Sequence, residues 1–189
     1  DYVWRGFSQS DEGPAVQGGA DLTYGNFYAG TWASSGDFGD GTDAEWDFYA
    51  GLNATTGSVA WDFGVTYYTY VGDPGGSDYD FVEFKVAASQ SFGDFTLGGS
   101  VNYSPDFYGA DEKATYAEIN GAYALNDQWS VSGGIGQQWL DVGDDYSTWN
   151  LGASVNLTEK LSLDLRYWDA DVSSPLSDPR AAVTLGVSF

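Results

Sequence analysis

The chain has 189 residues and a formal net charge of −22, from 28 acidic and 6 basic side chains, and it contains no His, Cys or Met. Without His or Cys, a Ser–His triad, a Cys nucleophile and an ordinary zinc site are excluded, so we expect neither an enzyme nor a cofactor. The acidic balance argues against nucleic acid as a partner, because phosphate binding needs basic patches.

Apolar and polar residues alternate along almost the whole chain, and a period of two indicates β-strands with one apolar face. The facing of the third segment is ambiguous, because Tyr28 and Trp32 compete with Phe27 for the apolar side. Twelve strands are predicted in chain order: Asp1–Gln9, Ala15–Tyr24, Phe27–Ser34, Ala44–Ala54, Val59–Tyr70, Tyr79–Phe92, Phe95–Ser104, Ala114–Leu125, Gln128–Leu140, Tyr146–Leu157, Leu161–Asp171 and Arg180–Phe189.

Short and long connections alternate between these segments. The short turns fall at 25–26, 55–58, 93–94, 126–127 and 158–160, and the longer acidic loops at 10–14, 35–43, 71–78, 105–113, 141–145 and 172–179, the third of which carries Pro74-Gly75-Gly76. The two kinds therefore lie at opposite ends of the strands. An even number of strands with this segregation is typical of an outer-membrane barrel, whose short end is periplasmic and whose long end is extracellular.

The polar face of the segments consists mainly of Ser, Thr, Asn, Gly and Asp, which suits a confined interior better than a solvated surface. Aromatic residues cluster at both ends of the apolar faces, as in an aromatic girdle. We therefore predict a single all-β domain over residues 1–189, a transmembrane antiparallel up-and-down β-barrel of about twelve strands in a bacterial outer membrane. A soluble β-sandwich is the alternative that the alternation leaves open.

Two stretches are similar to a known family. The opening Asp1-Tyr-Val-Trp-Arg-Gly-Phe-Ser-Gln and the later Phe27-Tyr-Ala-Gly-Thr-Trp-Ala-Ser resemble the TorF-type porin family of proteobacterial outer-membrane proteins. The resemblance implies an outer-membrane barrel with a pore role and no catalytic residues. It also implies a cleaved signal peptide and a few further residues of first strand before Asp1. The last strand, Arg180–Phe189, is then expected to pair with the Tyr2–Gln9 strand.

Alternation places ten charged side chains toward the interior of the predicted barrel. Seven are acidic and three basic: Arg5, Asp21, Glu45, Asp47, Asp62, Glu83, Lys85, Glu118, Asp164 and Arg166. Either these groups line water and favour cations, or the basic ones pair with carboxylates and close the interior, with Arg166 on Asp164 and Lys85 on Asp62 or Glu83. The sequence thus predicts a passive channel for small cationic or neutral solutes, or a closed accessory barrel that presents acidic loops to a partner.

One acidic loop has oxygen ligands at the spacing that a hard cation uses. Asp37, Asp40 and Asp43 predict a weak calcium site, although the segment lacks the full pattern of a calcium-binding loop, and a solvated acidic loop is the alternative. The expected partners are outer-membrane lipid or lipopolysaccharide and small solutes. An envelope protein or a second copy of the chain could also bind.

Overall fold

The computed structural model of the chain describes residues 1–72 and 78–189, so the predicted Pro74-Gly75-Gly76 loop lies outside the described residues. Within that part there are thirteen strands: β1 (Val3–Trp4), β2 (Phe7–Ser8), β3 (Gln17–Tyr24), β4 (Phe27–Ser35), β5 (Ala44–Thr56), β6 (Val59–Val71), β7 (Phe81–Phe92), β8 (Phe95–Ser104), β9 (Ala114–Ala124), β10 (Trp129–Leu140), β11 (Tyr146–Asn156), β12 (Leu161–Ala170) and β13 (Arg180–Val187). Two single-turn 3-10 helices, Phe107–Gly109 and Pro175–Ser177, lie in loops.

Strands β3 to β13 form one antiparallel sheet in which each strand pairs with the next along the chain. This confirms the all-β, up-and-down prediction, and every wall strand lies within a predicted segment to within one or two residues. The short connections all fall at one end of the sheet and the long loops at the other, as the sequence predicts.

The burial pattern is inverted relative to a soluble protein. Among the described residues, six apolar side chains are buried, against fifteen polar or charged ones. The outward positions of neighbouring strands carry exposed Phe, Trp, Val and Leu, such as Trp46, Phe63 and Leu151. Because the apolar side chains face outward over the sheet, residues 1–72 and 78–189 do not form the apolar core of a β-sandwich and present the surface that lipid solvates.

Aromatic side chains stand exposed near both ends of the strands, where the sequence predicts girdles. At the short-turn end Phe92 and Phe95 are cross-strand partners. At the long-loop end the Trp149 and Tyr167 rings lie 5.2 Å apart. The facing of strand β4 is ambiguous in the sequence. In the structure Tyr28 and Trp32 point inward, since the Tyr28 hydroxyl donates to Asp62 and the Trp32 ring contacts Tyr2.

The prediction of a wall strand over Asp1–Gln9 is wrong. Residues 1–9 form a hairpin in which β1 pairs with β2, and Arg5 of this hairpin binds the inward side chains of Glu83 and Gln138. Arg5 (φ 48°) and Gly6 (φ 88°) both adopt left-handed backbone conformations. Two such residues in succession make a tight turn that matches the twist of a hairpin, so the chain reverses after four residues and cannot continue along the wall.

The predicted partner of the last strand is therefore also wrong. In the described part of the chain, β13 pairs only with β12 and β3 only with β4, which leaves eleven wall strands and two sheet edges. At the long-loop end Asp1 meets the β13 edge through an ion pair between the Arg180 Nη1 and Asp1 Oδ2 atoms, at 3.2 Å. The described residues include no helix with the length and apolar character needed to cross a membrane.

Candidate pore and its N-terminal plug

The hairpin, here called the plug (Asp1–Gln9), fills the long-loop half of the interior. Its contacts reach opposite sides of the wall: Tyr2 lies against Trp32 on β4, and Phe7 lies against Tyr146 on β11, with ring centroids 5.2 and 5.1 Å apart. A segment that contacts walls seven strands apart occupies the space between them. The plug therefore lies across this half of the interior and narrows it.

Arg5 anchors the plug. Its Nη2 atom lies 2.7 Å from both carboxylate oxygens of Glu83, and its Nη1 donates to the Gln138 side chain. The guanidinium also stacks on the rings of Trp4 and Tyr116, 4.2 and 4.3 Å from their centroids. Arg5 and Glu83 are both buried, and a buried ion pair of this kind needs the further hydrogen bond and the ring contacts to offset the desolvation of its charges.

An aromatic cluster packs around the plug tip. The Trp4 ring contacts Tyr68, Phe81, Phe107 and Tyr108 at centroid distances of 5.9 to 6.4 Å. Burial raises the pKa of the Tyr108 phenol, which lies in the loop after β8, so this group stays neutral at physiological pH. These rings pack the plug against β6, β7 and the loop after β8.

The short-turn half of the interior is open and polar. Lys85 and Asp62 form an ion pair with 38% and 30% of their side chains exposed, whereas the Arg5–Glu83 pair is 7% and 6% exposed. Tyr28 donates a hydrogen bond of 2.6 Å to the same Asp62 carboxylate. Water therefore reaches the Lys85–Asp62 pair far more readily than the Arg5–Glu83 pair under the plug.

A second network crosses three strands on the opposite side of the interior. Arg166 donates to Asn150 on β11, to Ser132 on β10 and to Asp164 on its own strand, at 2.6, 2.8 and 3.2 Å. Ser154 donates to Asp164 as well. The three basic residues that alternation places inward thus each have a carboxylate partner. Lys85 pairs with Asp62, while Glu83 is engaged by Arg5.

Two further inward carboxylates, Asp21 and Glu118, have neutral partners. Asp21 accepts from the Tyr49 hydroxyl at 2.6 Å. Glu118 accepts from Tyr116 and Asn120 at 3.0 and 2.9 Å. Because no basic group offsets these charges in the contacts described, the open half keeps an acidic excess.

Glu45 and Asp47 lie under the plug, where they are 4% and 7% exposed. The Tyr2 hydroxyl donates to Glu45 at 3.2 Å, and within the described residues Asp47 Oδ1 has no hydrogen-bond partner. Burying a carboxylate oxygen without a hydrogen-bond partner costs free energy, so Asp47 destabilises the arrangement in which the plug covers it.

The loop that predicted a calcium site uses its carboxylates differently. Asp37 accepts from the backbone N–H of Gly39, and Asp40 from that of Thr42. The hydrogen bond from Thr42 holds the pKa of Asp40 below its ordinary value. In residues 1–72 and 78–189 no group of three or more acidic side chains is arranged to hold a metal ion. Asp37 and Asp40 thus stabilise turns of their own loop.

Alternation alone did not reveal the residues that hold the plug. Gln138 and Tyr116 occupy inward positions of the predicted strands, but nothing in the local sequence pairs them with Arg5, 133 and 111 residues away. The one local signal is Arg5-Gly6 inside an otherwise alternating segment, because a glycine in a strand pattern marks a bend.

A model of the family described as bacterial protein of unknown function (Gcw_chp) matches residues 1–188. The chain belongs to this family. Among curated proteins, none matches the chain in sequence.

Solved structures of porins have a similar fold. A KdgM porin is 11% identical, with a TM-score of 0.65 over 93% of this chain and 92% of that one. A porin refined at high resolution is 18% identical, with a TM-score of 0.52 over 90% of this chain. A loop-deletion mutant of OmpT, an outer-membrane protein of Vibrio cholerae, is 15% identical with a TM-score of 0.50. The chain spans 60% of the length of the last two. At these identities the likeness shows the fold, which is that of outer-membrane β-barrel porins.

Proposed function

We propose that this protein is a passive, porin-like channel of the bacterial outer membrane for small cationic or neutral solutes, the role that the resemblance to TorF-type porins implies. The observation that carries the proposal is the acidic excess on the water-accessible half of the interior. Lys85 and Arg166 are each offset by a carboxylate, whereas Asp21 and Glu118 have only neutral partners. The role is transport and not catalysis.

The physical argument is electrostatic. A narrow interior lined by one sign of uncompensated charge, with low-dielectric walls, raises the local concentration of counter-ions and repels ions of the same sign. The neutral lining of Ser, Thr, Asn and Tyr offers hydrogen bonds to uncharged solutes. Because the plug fills the long-loop half, solute passage requires the plug to move aside from Glu83 and Gln138.

Reversal potentials in planar bilayers under a KCl gradient test the selectivity. The wild-type channel should prefer K⁺ over Cl⁻. Glu118→Gln should reduce that preference by about twofold to fivefold, because it removes a charge from the open half. The matched control is Asp94→Asn, which changes an acidic residue in a short turn outside the interior. A preference for Cl⁻ in the wild type, or equal effects of both substitutions, would contradict the proposed selectivity.

The plug supports a second candidate function, a closed accessory barrel that presents its acidic loops to an envelope partner. The buried Arg5–Glu83 pair and the aromatic cluster around Trp4 are what a permanently closed interior would contain. Bilayer recordings separate the two candidates, since a closed barrel conducts in neither the wild type nor a variant with a weakened plug.

A further inference from the structure

A cavity of about 360 Å³ opens above the plug, at the long-loop end. Nine of its twelve lining residues are apolar or aromatic, among them Trp4, Phe38, Phe107 and Tyr146. These four come from the plug, from the loops after β4 and β8, and from the start of β11. The volume lies within the range of small-molecule sites, which combine apolar walls with a few polar groups that set orientation.

The charged group in the lining of this cavity is Asp40. Its Oδ1 atom accepts from the Thr42 backbone N–H at 3.0 Å, and its Oδ2 atom accepts from the Tyr79 hydroxyl at 2.9 Å. Gly39 and Gly41, with φ of 75° and 106°, supply the left-handed backbone that turns the loop on both sides of Asp40. The carboxylate is therefore fixed beside the rings, and it has lone pairs left for a ligand.

The surroundings of the cavity favour positive charge. Asp37 and Asp43 lie on the same loop as Asp40, and Asp78 and Asp80 lie on the next. The guanidinium groups of Arg5 and Arg180 are buried and paired with carboxylates, and Lys113, on the loop before β9, does not line the cavity. An anion entering this cavity would meet repulsion from the loops, whereas a cation would be attracted.

We propose that this cavity is a binding site for organic cations that carry an apolar ring or chain, held by the Asp40 carboxylate and by the faces of the aromatic lining. Aromatic faces attract cations through their quadrupole, and the adjacent carboxylate adds a direct ion pair. The apolar part of the ligand replaces water against Phe38, Phe107 and Tyr108. Binding here needs no opening of the plug, so the site stands whether or not the barrel conducts.

Three soluble probes with one ring and one linker but different charges test the proposal: phenylbutyltrimethylammonium, phenylbutanol and phenylbutanoate. Their binding to the full chain in zwitterionic-lipid nanodiscs can be followed by saturation-transfer difference NMR, with empty nanodiscs subtracted. The wild type should bind the cation at least about fivefold more tightly than the alcohol, and the anion most weakly. Equal affinities for the three probes, or no binding above the empty nanodiscs, would overturn the proposal.

Two substitutions and a control locate the binding. Asp40→Asn should abolish the preference for the cation and leave the alcohol unaffected. Phe38→Ala should lower the affinity for all three probes by a similar factor, and the cation should still bind most tightly and the anion most weakly. Asp144 is an exposed loop residue that does not line the cavity, so Asp144→Asn should leave the affinities for all three probes unchanged. A loss of charge preference in Asp144→Asn equal to that in Asp40→Asn would show attraction by the loops in general and refute the site.

Discussion

At the scale of single residues, the interior is shaped by tyrosines that lie against glycines of neighbouring strands. The Tyr28 ring lies over Gly51, and the Tyr116 ring lies over Gly136. A Cβ atom at either glycine would collide with the ring, so these glycines set the space in which Tyr28 donates to Asp62 and Tyr116 to Glu118.

Gly136→Ala should lower the free energy of unfolding by about 1–3 kcal/mol, because the new methyl group forces the Tyr116 ring off Arg5 and Glu118. Urea titration in phospholipid vesicles measures the change. Gly18→Ala is the matched control, since a Cβ atom at Gly18 meets no atom within 4 Å. Equal losses in the two variants would show that the close approach of Tyr116 is not what Gly136 provides.

The sequence predicts residue-scale facts where they depend on alternation. The inward positions of Asp62, Lys85, Asp164 and Arg166 follow from the period of two. So do two ion pairs: Lys85 with Asp62 on the neighbouring strand, and Arg166 with Asp164 on its own strand. The Arg5–Glu83 pair was not predictable in this way, because it forms only after the plug enters the interior and joins residues 78 positions apart.

At the scale of elements, the plug is the feature that separates this structure from the prediction. The alternation of Asp1–Gln9 is compatible with a wall strand, but Arg5 and Gly6 turn the chain back. Gly6 also fits tightly: a Cβ atom there would lie 2.8 Å from Thr148 Oγ1 and 2.9 Å from Ala170 Cβ. The turn and the docking of the plug thus depend on the same glycine.

Gly6→Ala should undock the plug, because it strains a turn with positive φ and collides with Thr148 and Ala170. Trypsin then cleaves the chain after Arg5, which is buried in the wild type, and mass spectrometry detects the shortened product. Gly25→Ala is the control, since Gly25 also has a positive φ of 60° but no neighbour within 4 Å of its Cβ position. Protection of Arg5 in Gly6→Ala would contradict this role for Gly6.

At the scale of the whole molecule, the apolar exterior and the polar interior follow from one repeated pattern, which is why the fold class could be predicted from the sequence. The number of wall strands could not, because it depends on whether a short segment bends inward. The same bend divides the interior: the short-turn half carries an acidic excess, and the long-loop half holds the plug, which Arg5 anchors.

Single-channel recording of the wild type beside Glu83→Gln is the most direct test of this account. Glu83→Gln removes the charge partner of Arg5 without changing the shape of the side chain, so the plug should open more often. Glu159→Gln, in an exposed short turn, is the control. Proper folding of each protein is checked by heat-modifiable gel migration. We predict rare cation-selective openings in the wild type and in Glu159→Gln, and at least about a tenfold higher open probability in Glu83→Gln. Folded protein that conducts in none of the three, or that conducts equally in all, would contradict a plugged channel.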